Sequence, residues 1–149
     1  MSLDKIVSIT GKPGLYELKA QTRTGFLAES LAEGKRMNIS AHHNVSLLSE
    51  IAIYTLTTEI PLYEVFVKIY DNEDGKETIS HKAPKIELEE FFFNVLPDYD
   101  EDRVYASDIK KVVQWYNILQ RCGKAAEIKE AYEAAKKAEA EAEAKSEEE

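Results

Sequence analysis

Short stretches of alternating apolar and polar residues fill residues 15–57 and predict strands separated by turns. In residues 15–20, Tyr16, Leu18 and Ala20 fall on one side of an extended chain, and Glu17 and Lys19 fall on the other. Turns containing glycine separate the stretches, because glycine accepts the positive φ that tight turns require. The predicted strands cover residues 15–20, 26–31, 35–40 and 51–57.

Two stretches of the first 57 residues have less decisive patterns. Residues 45–50 fit one helical turn, and residues 3–9 fit either a helical turn or a strand. A meander of four or five short strands favours a small SH3-like β-barrel, since closing a sheet removes its exposed edges.

Apolar residues then recur with helical spacing in three places. Pro61 opens the first helix at a position that needs no N–H, and Pro97 stops the second. The third is expected to have Ser107 as its N-cap and Gly123 just beyond its end. The three apolar stripes are Leu62, Val65, Phe66, Ile69 and Tyr70; Leu88, Phe91, Phe92, Val95 and Leu96; and Ile109, Val112, Val113, Tyr116 and Leu119.

These elements predict an α+β protein of two packed modules followed by a tail. Residues 1–72 form the barrel-like module with its closing helix, polar residues 73–85 form a linker, and residues 86–123 form a helix–extended-loop–helix module. Residues 124–149 are rich in Ala, Glu and Lys. Such a composition has little to bury, so we expect a frayed helix at most near residues 124–138, disorder beyond, and a tail dispensable for folding.

The charge and cysteine content narrow the classes of function. The net charge is −9, of which the tail supplies −4, and an acidic body disfavours generic binding to nucleic acids or anionic membranes. A single cysteine, Cys122, excludes an intramolecular disulfide and a multi-cysteine metal site. No apolar run approaches the roughly 20 residues needed to span a bilayer. We therefore expect a cytoplasmic location, with a start unlike a signal peptide.

Several sequence stretches resemble an uncharacterised family of small Bacteroidota proteins. The resemblance spans roughly residues 3–121 and implies no activity, cofactor or partner for any residue. The stretches that carry it are Ser-Ile-Thr-Gly-Lys-Pro-Gly-Leu-Tyr from Ser8, Gly-Lys-Arg-Met from Gly34, Ile-Ala-Ile-Tyr-Thr from Ile51, Leu-Pro-Asp-Tyr-Asp from Leu96, Arg-Val-Tyr-Ala-Ser-Asp-Ile-Lys-Lys from Arg103, and Trp-Tyr-Asn from Trp115.

The candidate metal and nucleotide motifs fail on spacing. Asp98, Asp100 and Asp102 alternate like the start of a calcium loop, but a loop starting at Asp98 would have Arg103 where glycine is needed and Ile109 where the bidentate Glu is needed. The adjacent pair His42 and His43 would point to opposite faces of a strand, and the glycine–lysine turn at residues 11–14 lacks the Lys-Ser/Thr ending of a P-loop. We therefore expect no catalytic residue, no cofactor and no metal.

Two surfaces remain as candidates for binding. The first is a basic–aromatic set, and the second is Phe93, which lies off the apolar stripe of its helix. Trp115 of the first set fits the core as well as a surface, and the core interpretation is favoured. The function that we expect is non-catalytic binding or adaptor activity through protein partners, with RNA or DNA binding through the barrel groove and the basic–aromatic face as the alternative. The basic–aromatic set is Arg103, Tyr105, Lys110, Lys111, Trp115 and Tyr116.

Overall fold

The computed structural model describes residues 5–9, 14–31, 33–40 and 44–148, with side chains up to residue 144. It has a mixed α+β fold, as the sequence predicts. The strands are β1 Ile6–Ile9, β2 Tyr16–Gln21, β3 Gly25–Ser30, β4 Arg36–Ser40, β5 Val45–Leu47, β6 Ala52–Tyr54 and β7 Glu59–Pro61. The helices are α1 Leu62–Asn72, α2 Lys85–Val95, α3 Ala106–Arg121 and α4 Lys124–Glu148, with a 3-10 turn at Leu48–Glu50.

Five strands form one antiparallel sheet in the order β4-β3-β2-β1-β5. Residues 6–9 are a strand, which settles the ambiguity of the first segment, and residues 45–50 divide between a short strand and the 3-10 turn. The two edge strands β4 and β5 do not pair with each other in the described part of the chain. The sheet is therefore open, and the predicted closed SH3-like barrel is not confirmed.

A second, smaller sheet pairs β6 with β7, and the sequence pattern missed β7. The predicted strand over residues 51–57 is shorter in the structure, because the chain turns back after Thr55: the hydroxyl of this residue donates to the carbonyl oxygen of Thr58 at 3.0 Å. On the other side of β6 from β7, the loop of residues 96–105 between α2 and α3, here called the acidic loop, adds a third extended segment. The Asp100 N–H donates to the Tyr54 carbonyl at 3.0 Å, and the Leu56 N–H donates to the Asp98 carbonyl at 2.9 Å.

One hydrophobic core joins the sheets to all four helices. The three predicted helical stripes contribute to it, with Tyr70 and Phe91 partly buried and the others buried. Ile6, Leu15 and Leu48 contribute to the same core from the five-stranded sheet region. A second, smaller cluster is also buried in the five-stranded sheet. It contains Val7, Ile9, Tyr16, Ala28 and Ile39.

The start of α3 lies two residues earlier than predicted. Tyr105, not Ser107, is its N-cap, and the Asp108 carboxylate accepts the Tyr105 N–H at 3.0 Å. This acceptor satisfies a backbone donor that the helix itself leaves open. The predicted end is confirmed, since Gly123 follows the helix with φ +81°, a backbone conformation that favours glycine.

The tail differs most from its prediction. Residues 124–148 form the continuous helix α4, and its first turns pack against α1 and α3 rather than fraying. Ala125 and Ile128 are buried, and Tyr132 packs beside Tyr63 with ring centroids 6.2 Å apart. The expectation that the tail buries little therefore fails for its first nine residues.

Hydrogen bonds from side chains of α3 hold the segment predicted as a linker, residues 73–85. Buried Asn117 accepts the Thr78 N–H at 2.8 Å and donates to the Ile79 carbonyl at 3.2 Å, and the Tyr116 hydroxyl donates to the Lys76 carbonyl at 2.7 Å. Burial raises the pKa of the Tyr116 hydroxyl, which stays protonated as this bond requires.

Among the described helices, none combines the length and apolar character needed to cross a membrane.

Candidate binding groove

A groove of about 560 Å³ runs between the five-stranded sheet, β6 and the first half of α3. Its walls come from residues far apart in sequence, brought together by the shared core. Ser8 and Ser46 form the sheet side, Ala52 and Tyr54 form the β6 side, and Val112 and Trp115 form the α3 side. We call this feature the junction groove.

Arg103 stands at one rim of the junction groove. Its guanidinium carbon lies 5.2 Å from the centre of the Tyr54 ring, and its Nε lies 3.4 Å from the Asp100 carboxylate. These contacts orient the side chain, which is nevertheless 64% exposed. The cation is therefore held in place and still accessible to a ligand.

Lys111 and Trp115 supply one wall from consecutive turns of α3. Lys111 is exposed and makes no ion pair with another described residue. Trp115 is only 8% exposed and belongs to the main core. The core interpretation of Trp115 therefore agrees with the structure, although the residue also borders the groove.

The edge of β6 presents backbone groups to the junction groove. Ala52 pairs with Pro61, which has no N–H, while the Leu62 N–H donates to the Ile51 carbonyl at 3.0 Å. The Ala52–Pro61 pair is therefore of the non-hydrogen-bonded kind, and the N–H and C=O of Ala52 point away from β7. On that side the acidic loop pairs with β6 only from Tyr54 onward.

The junction groove gathers part of the predicted basic–aromatic set and leaves part of it outside. Arg103, Lys111 and Trp115 line it. Tyr105 is 63% exposed, Lys110 is exposed and Tyr116 is buried in the main core, and none of these three lines the groove. Phe93 is 52% exposed in a separate hollow on α2.

Sequence reasoning missed the β6 side of the groove. Tyr54 lies opposite the buried Ile53 face of its strand, so alternation alone could have marked it as a surface aromatic. Ser8 and Ser46 carry no local signal, because only the pairing of β1 with β5 places them side by side.

The structure describes one of the motifs that the sequence analysis rejected as metal sites, the loop that contains Asp98, Asp100 and Asp102. Asp100 accepts the Asp102 N–H at 3.0 Å and contacts Arg103, so its carboxylate organises its own loop. In the part of the chain that the structure describes, no group of three or more His, Cys, Asp or Glu could hold a metal ion. His42 and His43 lie outside the described residues.

Comparison with other proteins finds two family models and a solved structure. A domain of unknown function, DUF5606, matches residues 3–48, and a second, DUF6852, matches residues 51–119. A solution NMR structure from Bacteroides vulgatus, a target of the Northeast Structural Genomics Consortium, is 44% identical to the chain. The match covers 81% of this chain and 87% of that one, with a TM-score of 0.71. The chain belongs to this uncharacterised family of Bacteroidota proteins. None of the curated proteins matches it.

The junction groove lies where the two family domains meet. Ser8, Gly14 and Ser46 come from the first matched segment, and residues 51–54 and 103–115 contribute from the second. The boundary between the matches, at residues 48–51, falls at the 3-10 turn. The predicted linker at residues 73–85 lies inside the second match, and the division there stays a prediction.

Proposed function

We propose that this chain is a non-catalytic binding module whose junction groove takes an extended, acidic segment of a partner protein. The observation that carries the proposal is the junction groove itself: the backbone edge at Ala52, which has no partner among the described residues, lies beside two exposed cations, Arg103 and Lys111. Binding sites occur preferentially at the junctions between domains.

The backbone edge favours an extended ligand over a helical one. An extended peptide can add to an open strand edge through main-chain hydrogen bonds, and pockets for alternate side chains then give specificity. Here the acidic loop already occupies the edge of β6 beside Tyr54 and Leu56, so a ligand would continue this third strand along Ala52.

The charges favour an acidic ligand despite the net charge of −9. Arg103 is partly balanced by Asp100, and Asp108, whose carboxylate accepts the Tyr105 N–H, is the one acid among the described residues that line the groove with the two cations. Lys111 has no counterion among the described residues. Complementary charge would orient the ligand and speed its association.

The groove side chains support binding rather than catalysis. Nucleophilic catalysis needs a hydroxyl or thiol beside a base that activates it. Among the described residues that line the groove, hydroxyls belong to Ser8, Ser46 and Tyr54, and none of these residues is a histidine or a cysteine.

Lys110 and Lys111 give a matched test, because they are neighbours of equal charge and only Lys111 lines the groove. A photocrosslinking amino acid at Gln114, which also lines the groove, would be introduced into the full chain in native cells. We expect protein crosslinks that Lys111→Glu reduces by about tenfold and Lys110→Glu changes less than about twofold. Equal loss in both variants, or no protein crosslink, contradicts the proposal.

A second candidate, RNA or DNA binding, is favoured by the exposed aromatics. Tyr54 and Tyr105 are 42% and 63% exposed, and Arg103 and Lys110 lie near them in sequence or space. Bases stack on such side chains while cations contact phosphates.

We further propose that the five-stranded sheet curls toward an SH3-like shape. The second buried cluster, which lies within this sheet, supports the proposal.

The same crosslinking experiment separates the two candidates. Nucleic-acid binding spreads over a basic face, so Lys110→Glu and Lys111→Glu should weaken it to a similar degree, and retention should fall steeply with added salt. Crosslinked material that disappears on nuclease treatment supports nucleic acid. Material that survives nuclease and depends on Lys111 alone supports the protein-binding proposal.

A further inference from the structure

Helix α2 carries two large apolar side chains that nothing covers among the described residues. Ile86 is 70% exposed and Phe93 is 52% exposed. They are seven residues apart, so they lie on the same helix face about 10.5 Å apart along its axis. Both border a shallow hollow of about 420 Å³. Large apolar side chains that share one exposed face are typical of an interaction site.

Carboxylates surround this apolar pair. Glu89 and Glu90 lie between Ile86 and Phe93 on α2, and Glu101 faces them from the acidic loop. Among the described residues, the cation that pairs with them is Lys85, whose Nζ lies 4.0 Å from Glu89 and whose side chain is 76% exposed. Such a long, exposed ion pair offsets little of the negative charge.

Tyr99, at the buried base of the hollow, has a hydroxyl whose pKa is raised by burial and by this negative charge. Tyr99 packs edge-on against Phe92 with centroids 4.9 Å apart, and it lines the hollow. Burial raises the pKa of its hydroxyl, and the charges of Glu101 and then Glu89 raise it further. The charges of Glu101 and Glu89 therefore both act on the hollow that Tyr99 lines.

We propose that this face of α2 is a docking surface for a basic amphipathic helix of a partner protein. The spacing of Ile86 and Phe93 matches apolar residues two turns apart on a helix that lies along α2. Lysines or arginines flanking that apolar stripe would meet Glu89, Glu90 and Glu101. The surface is separate from the junction groove, and the proposal stands whether or not the groove binds an acidic segment.

The test uses two fluorescent helical peptides of about 18 residues. Both carry leucine on one face; the first has lysine on the other face, and its twin has glutamate. Anisotropy with the full chain at about 150 mM salt should show the lysine peptide binding at least about tenfold more tightly than its twin. Equal affinity, or no binding of the lysine peptide, overturns the proposal.

Three variants assign any binding to the α2 face. Ile86→Ala with Phe93→Ala should weaken binding of the lysine peptide about tenfold or more, and Glu89→Lys with Glu90→Lys should reverse the preference toward the glutamate peptide. Glu87→Lys is the matched control, because Glu87 is exposed on α2 but does not line the hollow. An effect of Glu87→Lys as large as that of the double charge reversal overturns the assignment to this face.

A second measurement guards against loss of folding. All replaced side chains are at least partly exposed, so thermal unfolding should shift by only a few degrees. Amide chemical shifts in the full chain should change around residues 86–94 and 99–101 on peptide addition. Changes confined to the region of Lys111 and Ser46 would show that the peptide binds in the junction groove, and the proposal would be wrong.

Discussion

The Nζ of Lys124 lies 2.9 Å from a carboxylate oxygen of Glu17, which ties the first residue of α4 to the second strand of the sheet. Both side chains are largely shielded, with 23% and 21% of their surfaces exposed. Farther along the helix, Lys129 lies 2.7 Å from Asp71, and the Tyr132 hydroxyl donates to Glu64 at 3.1 Å. These contacts all fall before residue 133, and among the described side chains none beyond that point bonds to another element.

The docked part of the tail should stabilise the fold. Ending the chain after Gly123 exposes the core around buried Ala125 and Ile128, which we expect to cost about 2–4 kcal/mol. Differential scanning calorimetry should then show Tm lowered by roughly 5–15 °C. A chain ending after Lys137 is the control and should unfold within about 2 °C of the full chain. Equal Tm for the full chain and the shortest chain would contradict docking.

The Glu17–Lys124 ion pair should make stability depend on pH. The hydrogen bond from Lys124, and then that from Lys19, lower the pKa of Glu17 below its ordinary 4.5, so its contribution is present above that pH and lost as pH falls through the folded-state value. The hydrogen bond with Glu17 raises the pKa of Lys124 above 10.5, so its contribution is present below that pH and lost as pH rises through the folded-state value.

The measurement compares thermal unfolding of the wild type and Lys124→Met across this range. The variant should be less stable near neutral pH, and the difference should shrink at pH values well below 4.5, where Glu17 is protonated. Lys137→Met, an exposed change on the same helix, should show no such pattern. A gap between wild type and Lys124→Met that stays constant into acid would mean that the ion pair does not stabilise the fold.

Trp115 should behave as a core residue. It is 8% exposed and packs with the main hydrophobic cluster, so Trp115→Ala should cost roughly 3–5 kcal/mol in chemical denaturation. Because the chain has a single tryptophan, its fluorescence reports this site alone, and emission should shift to the red on unfolding. A cost below about 1 kcal/mol would move Trp115 from the core to the binding surface.

Asn117 should hold the 73–85 segment through its buried amide. Asn117→Ala leaves the Thr78 N–H and the Ile79 carbonyl without their partner, and each unsatisfied backbone group costs about 1–3 kcal/mol. The amide of Thr78 should also exchange with deuterium much faster. Asn72→Ala, at an exposed position, is the control and should stay within about 0.5 kcal/mol of the wild type. Unchanged exchange at Thr78 would show that other contacts hold the segment.

The sequence predicts best those elements whose signal is local. The apolar spacing of α1 and α3 and the glycine after α3 are read directly from neighbouring residues, and the structure confirms them. Strand β7 was missed because its three residues end at Pro61, which reads more strongly as a helix start. The order of the strands likewise depends on pairings that no local pattern encodes.

Local sequence patterns also fail to predict the complete junction groove and the docking of the tail. Arg103, Lys111 and Trp115 could be singled out because they cluster within one stretch of sequence, but their partners Ser8, Ser46 and Ala52 come from three separate strands. The composition of the tail predicts a frayed helix, because Ala, Glu and Lys fill it, yet Ala125 and Ile128 are buried where α4 packs against α1 and α3. Burial depends on what the fold places opposite a residue, which composition does not record.

The core that crosses the boundary at residues 48–51 bears on how this family can evolve. Ile6, Leu15 and Leu48 lie in the first matched segment and pack in the same cluster as residues of the second, including Leu62 and Phe66. A gene fusion or exchange that brought in either segment without the other would expose to water the part of that cluster where the two segments meet. The two segments should therefore be inherited as one unit, and a genome that encodes one of them should encode the other in the same reading frame.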